Sequence, residues 1–265
     1  STTASCGRRT RWRGRIGPEK LELLLAQTLA VAMQTNAVTP QAFERVTLDT
    51  TVQTKAVAHP TDSHLLMRGI ELLNRLAKKH GIALRQSFLR ARRDVSRLIH
   101  GRGHKQAMRW VRKMRTWLGR LDRDIGRKIA GNATLEAAFA VPRERIARVL
   151  TQKAGDAHKL YALHAPEVEC IAKGKARTRY EFGVKTSIAV TNARTAGGQF
   201  IVGMQALPGS PYDGHTLTGQ ITQVERLTGV VVERAYVDRG YRGHRHQGKA
   251  QVYIAHSRGI ASPTI

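Results

Sequence analysis

The sequence predicts an α/β fold: a mixed sheet with a large basic helical block inserted after its first strand. Three observations lead there. Runs rich in β-branched residues fall at 45–51, 181–191, 200–207, 230–237 and 252–254. Between the first and second of these, apolar residues recur at helical spacing over much of the chain. One further helical pattern, 215–227, separates the later strands. The order is therefore strand, helical block, strand, strand, helix, strand, further strand, an interleaving typical of α/β architectures.

Residues 1–15 are small, polar and basic, and read as unstructured. Pro18 suits the first turn of a helix, after which Leu21, Leu24, Leu25, Leu29 and Ala32 keep helical spacing. Pro40 opens a short connection into the Arg45–Thr51 strand. Asp62 or Ser63 is placed to cap a helix carrying Leu65, Leu66, Ile70, Leu73 and Leu76, stopped by Gly81. Leu84, Phe88, Val95 and Leu98 form a second apolar stripe, broken by Gly101 and Gly103. Met108, Val111, Met114, Leu118, Leu121, Ile125 and Ile129 form a third. Pro142 and Arg143 start a short helix through Leu150. Gly197-Gly198 turns the 181–191 and 200–207 strands into a hairpin. Asp213 is placed to cap the following helix and Gly229 to end it. These elements divide the chain into a basic helical segment (1–40), the first core strand (41–62), the helical insertion (63–160) and the remaining core (161–265).

Composition narrows the function. Lys and Arg number 45 against 19 Asp and Glu, a net charge of +26. Such a charge repels itself unless a polyanion neutralises it, and nucleic acid is the leading polyanion. No long uncharged apolar run exists to span a membrane and no secretory signal is evident, so a cytoplasmic, nucleoid-associated protein is expected. Cys6 and Cys170 form no metal-binding pair and read as free thiols.

Asp49 closes the first strand and Asp238 the 230–237 strand. Carboxylates projecting from rigid strands suit divalent ions, which in two-metal phosphoryl transfer sit roughly 3.5–4 Å apart. Each aspartate also has a plainer reading, Asp49 as a strand-end cap and Asp238 as the turn residue before Gly240. Around Asp238, however, Arg239, Tyr241, Arg242 and His244 add groups that bind phosphate. His244, His246 and His256 read better as phosphate contacts than as a metal site, since no cysteine accompanies them. From Arg85 to Lys128 there are 15 Arg or Lys and only three Asp, more imbalance than a solvated helix face needs. Trp110 and Trp117, seven apart within this block, fit core packing better than base stacking.

Several of these segments together resemble the DDE transposases of bacterial insertion sequences, over about residues 11–254. The segments are Arg11-Trp12-Arg13 with Arg15-Ile16-Gly17, then Val46-Thr47-Leu48-Asp49-Thr50-Thr51-Val52-Gln53 and Pro60-Thr61-Asp62. The most distinctive is His164 to Lys175 with Tyr180-Glu181-Phe182-Gly183-Val184-Lys185. Pro211-Tyr212-Asp213-Gly214-His215-Thr216-Leu217 and Val237-Asp238-Arg239-Gly240-Tyr241-Arg242-Gly243 complete the match. The resemblance implies an RNase H-like core, with Asp49 and Asp238 as catalytic residues holding Mg²⁺. It further implies DNA contacts from Arg239, Tyr241, Arg242, Lys173, Lys175, Lys185 and His215. The implied activity is metal-dependent cleavage at insertion-sequence ends in double-stranded DNA, then strand transfer, by a homodimer. The family places a catalytic glutamate beyond the Tyr253 strand and a helical region before Arg11. In this chain no glutamate follows Glu233, so it reads as truncated at both ends and is not expected to cleave DNA alone. Two alternatives stand beside this: a non-catalytic basic DNA-binding protein or remnant, and an RNA-binding or nucleoid-associated protein unrelated to transposition.

Overall fold

The computed structural model describes residues 4–99, 104–153, 155–172, 179–193 and 195–255. It is a mixed α/β structure that divides into two compact units, one formed by residues 1–53 with 184–265 and the other by residues 54–183.

The first unit opens with helix α1 (Ala4–Gln34), interrupted at Gly17, after which Pro18 starts the second stretch. Helical backbone thus runs through most of the segment expected to be unstructured, consistent with its many arginines, which are good helix formers. A one-turn 3₁₀ helix, Pro40–Glu44, leads into strand β1 (Arg45–Thr54). The remaining strands of the sheet are β3 (Tyr180–Thr191), β4 (Ile201–Leu207), β5 (Arg234–Val237) and β6 (Gln251–Ile254). Strand β2 (Glu169–Ala172) pairs antiparallel with the first residues of β3. Sequence patterning did not predict β2, because four residues are too few to show a period of two.

Strand order in the sheet is β2-β3-β1-β5-β6, with β4 also paired to β3. Strand β3 lies antiparallel to β1, with backbone bonds from Asn192 N to Arg45 O and from Lys55 N to Phe182 O. The β3–β4 hairpin is antiparallel as expected. On the other side of β1 the pairing is parallel. Arg45, Val46, Thr47 and Leu48 of β1 stand opposite Arg234, Ala235, Tyr236 and Val237 of β5, and β5 pairs in turn with β6.

Helix α6 (Asp213–Thr228) covers this sheet. Its Leu217, Ile221 and Val224 bury against Phe43, Val46, Leu48, Ala189, Val202, Ala235 and Val237, joined by Leu29 and Ala32 of α1. Fully burying one such side chain is worth about 1.5–3 kcal/mol, so this face holds the strand tips in register. Left-handed Gly229 ends the helix as expected. Its start differs from expectation: Asp213 is the first helical residue and does not cap it, and Tyr212 occupies the cap position without a side-chain bond.

The second unit is mainly helical, with α2 (Asp62–Lys79), α3 (Leu89–Ile99), α4 (His104–Ile129) and α5 (Ala133–Thr151). Thr61 caps α2, one residue before the expected position. Helix α5 starts nine residues earlier in the chain than its Pro142 suggested. Asn132 accepts from Leu135 N and caps it, and Pro142 lies inside it. Phe139, Ile146 and Val149 bury that helix along one face, which outweighs the hydrogen bond the proline cannot make. The core joins Leu66, Ile70 and Leu73 of α2 to Met114, Leu118, Leu121 and Ile125 of α4. Trp117 is buried here and stacks on Phe88, and Trp110 packs against the same core. Gly101 and Gly103 lie outside the described residues. Among the described residues no helix is long and apolar enough to cross a membrane.

Candidate active site

The two predicted aspartates meet on neighbouring strands of the first unit. Leu48 and Val237 form the last β1–β5 pair, so Asp49 and Asp238 occupy the next step of the same parallel register. Adjacent strands are about 4.8 Å apart, which sets the scale of their separation. Leu48 and Val237 are buried, whereas Asp49 and Asp238 are exposed, as strand alternation requires. Strand β1 continues to Thr54, so Asp49 marks the end of its pairing with β5 and is not the strand terminus.

Directly after β5 the chain makes a one-turn 3₁₀ helix, Arg239–Tyr241, capped by Asp238. Asp238 Oδ1 accepts from Gly240 N at 2.9 Å. The turn-residue reading of Asp238 is thus correct locally and compatible with a second role for its carboxylate.

A third carboxylate arrives from the start of α6. Asp213 Oδ1 accepts from Thr50 Oγ1 at 2.8 Å and pairs with Lys185 Nζ at 2.5 Å. Lys185 also donates to Pro211 O at 2.7 Å. Gly240 sits between two of the acids. A β-carbon there would stand 2.7 Å from Asp213 Oδ2 and 3.0 Å from Asp238 Oδ1, so only glycine leaves these carboxylates undisturbed. Gly214 plays a similar part on α6, where a β-carbon would press on the His244 backbone at 3.1 Å. Tyr212 Oη donates to Arg242 O. Small residues therefore clamp the Asp238–His244 turn onto the first turn of α6.

Beneath the acids lies Tyr241, 1% exposed. Its hydroxyl is close to those of Ser187 and Thr216 without reaching hydrogen-bond geometry with either, and the Ser187 hydroxyl is likewise unpartnered. Burial pushes the Tyr241 phenol up to about 12, and the nearby charges of Asp213 and Asp49 add to this. The phenol therefore stays protonated across the physiological range.

Two expected DNA contacts need correction. Tyr241 belongs to the core of the unit, packed among apolar side chains, and cannot reach a ligand on the surface. Lys185 is largely buried and its ammonium is committed to Asp213 and Pro211, so it balances the site's negative charge. Arg239, Arg242 and His215 are exposed around the turn and the start of α6. Lys173 and Lys175 lie outside the described residues. Among the described residues no group of three or more His, Cys, Asp or Glu side chains is arranged to hold a metal ion. His246 Nδ1 bonds to Thr218 Oγ1 at 3.0 Å and its backbone N–H points at His244 Nδ1, while His256 is outside the described residues. Cys170 is free and half-buried.

Sequence reasoning missed Asp213 as a member of this cluster. The available signal was its position two residues after Pro211 in a run that also holds Gly214, in the same segments that carry the family resemblance.

No protein-family model matches the chain, and no solved structure matches it. It is similar to a Rhizobium meliloti protein described as "Uncharacterized protein ORF8 in nfe locus", with 56% identity over 81 residues. That match covers 31% of this chain, and the chain spans only 39% of the relative's length.

Proposed function

We propose that the first unit is an RNase H-like core of the DDE transposase type, of the kind that acts on phosphodiester bonds of double-stranded DNA at insertion-sequence ends, and that these residues alone bind metal and DNA without cleaving it. The observation that carries this reading is the adjacent placement of Asp49 and Asp238 on parallel strands β1 and β5, at the edge of a turn bearing exposed Arg239 and Arg242. The sheet supports it too: β1 has an antiparallel neighbour on one side and two parallel strands on the other. The donor set is chemically suited to Mg²⁺, a hard ion that takes carboxylate oxygens and keeps several waters. Asp49 and Asp238 would hold it, and when bound it would neutralise phosphate charge and raise the acidity of a coordinated water.

The chain's own groups have distinct tasks in this reading. Arg239 and Arg242 hold the phosphate by charge-assisted hydrogen bonds. Lys185 cancels the charge of Asp213, which limits repulsion among three neighbouring acids. Protonated Tyr241 supports the turn from below.

Metal binding is the direct test. Mn²⁺ titrated into the protein should bind by calorimetry and be displaced by Mg²⁺. Asp49→Asn and Asp238→Asn should each weaken binding at least tenfold while Asp156→Asn, in the other unit, should not. Equal Mn²⁺ affinity in all four proteins would remove the carboxylate site and with it this function. A second reading, a non-catalytic basic DNA-binding protein, is favoured by one observation: the described side chains as they stand do not form a three-ligand metal shell. In that case the titration shows no binding to any of the proteins.

A further inference from the structure

We propose that one face of α4, in the second unit, is a docking surface for the phosphate backbone of duplex DNA, separate from the carboxylate site. Along α4, Arg109, Lys113, Thr116, Arg120, Arg123 and Arg127 follow one another at alternating steps of four and three residues, and all are exposed. At 100° per residue these positions stay within a narrow angular band, and Arg112 falls at its edge. The opposite face carries Val111, Met114, Leu118, Leu121 and Ile125, which fill the core. The helix is thus divided into an apolar half and a cationic half, and packing explains only the first.

Both acids of this helix are used elsewhere. Asp122 takes Arg143 of α5 at 2.8 Å. Asp124 is buried, accepts from Arg85 N and pairs with Lys128 and, at 3.6 Å, Arg127. Among the described residues no ion pair involves Arg109, Arg112, Arg120 or Arg123. A helix needs only scattered charge to be solvated. Four cations aligned without counter-ions raise the self-energy of the fold and imply a polyanion that lowers it.

The stripe ends at a concave feature. Arg85, Arg120, Arg123 and Arg127 line a cavity of about 460 Å³ together with Gln86, Phe88, Leu121 and Asp124, whose carboxylate is already paired with Lys128. Arginines outnumber the single acid in this lining four to one, and guanidinium groups bind phosphate by paired N–H donors.

Spacing indicates what kind of phosphate array fits. From Arg109 to Arg127 the helix rises about 27 Å and its stripe carries five cations, roughly one per 5.4 Å of axis. One strand of a DNA duplex carries a phosphate per roughly 3.4 Å of its axis, so the stripe offers about two cations for every three phosphates and suits a continuous phosphate row better than a single anion. Single strands are disfavoured as the occupant, since Trp117 is buried against Phe88 and Trp110 packs on the core, leaving no free stacking platform on this helix. Lys113 lies 5.0 Å from the centre of the Trp110 ring and 5.6 Å from that of Trp117, so the indoles help to position a cation.

The test uses the full chain with Arg109, Arg120 and Arg123 all changed to Gln. Binding to a random-sequence 30-base-pair DNA duplex is followed by fluorescence anisotropy at several salt concentrations. Each phosphate contact contributes about 0.9 to the slope of log K against log[salt], so the triple variant should lose about 2–3 in slope and at least tenfold in affinity at 0.1 M salt. The triple Arg→Lys variant should keep most of the slope, which separates lost charge from lost folding. A control carrying Arg75→Gln, Lys78→Gln and Lys79→Gln on α2 removes the same charge away from the stripe and should change the slope by less than 1. All titrations contain EDTA, so this result stands or falls apart from the metal site. Equal losses in the α2 control would show a general charge effect and overturn the proposal. It is also overturned if the stripe variant loses only tripolyphosphate binding, which would assign the cavity to a free polyphosphate. Loss of duplex RNA binding with DNA binding intact would overturn it as well.

Discussion

Asp213 is the residue whose role the tertiary structure changes most, and its removal gives a measurable stability prediction. Asp213→Ala strands the Lys185 ammonium, whose side chain is only 14% exposed, with the Pro211 carbonyl as its remaining partner. Thr50 loses its acceptor at the same time. Breaking a fully buried pair costs about 3–5 kcal/mol, and an exposed pair is worth at most about 1 kcal/mol. With Asp213 at 21% and Lys185 at 14% exposure, the pair lies nearer the buried limit. Because Lys185 keeps one acceptor, the expected loss is about 2–3 kcal/mol. Lys185→Met removes the stranded charge while keeping the length of the side chain. In the Asp213→Ala/Lys185→Met double variant the two costs should therefore not add, leaving a coupling of about 1.5–2 kcal/mol. Urea unfolding of the four proteins, followed by far-UV circular dichroism, measures the cycle. A cost below about 0.5 kcal/mol for Asp213→Ala, or additivity of the two single variants, would show that the pair does not hold α6 to β3 and would refute the reasoning.

Two further outcomes follow from the same site. Gly240→Ala places a β-carbon 2.7 Å from Asp213 Oδ2 and 3.0 Å from Asp238 Oδ1. Because the obstructing atoms are side-chain ends, the fold should lose only about 1 kcal/mol, whereas Mn²⁺ affinity should fall at least tenfold as the carboxylates are pushed apart; unchanged affinity by calorimetry would contradict the geometry. Burial, and next the charge of His244, hold the His246 imidazole below its ordinary range, with Glu225 opposing. The folded state therefore resists protonation that the unfolded chain accepts. The stability tied to this group is present above about pH 6.5 and declines as pH falls below it. Melting temperatures measured from pH 7.5 to 5 should fall less steeply in His246→Asn than in the parent, and identical slopes would sink the assignment.

The sequence by itself determined what local periodicity and charge encode. Alternation in 45–51 and 181–191 marked two strands, and helical spacing from Met108 to Ile129 marked α4 together with its basic excess. Gly229 marked the end of α6 because a left-handed residue is needed there. The motif residues Asp49 and Asp238 could be singled out because acids beside β-branched runs and arginines are unusual locally. The tertiary structure decided what depends on partners distant in the chain. It set Asp49 and Asp238 in neighbouring register, which requires parallel pairing across nearly 190 residues of intervening chain. It turned Asp213 from a helix cap into the partner of Thr50, 163 positions away. It buried Tyr241 and drew the Lys185 ammonium into an ion pair with Asp213, where composition alone would leave both at the surface. It also moved the start of α5 to Asn132, since burial of Phe139 and Ile146 overrode the proline signal. The physical reason is common to all four. Propensity and patterning act over a few residues, whereas a carboxylate, a phenol or an ammonium takes its role from whichever charge, hydroxyl or apolar face the folded chain brings beside it.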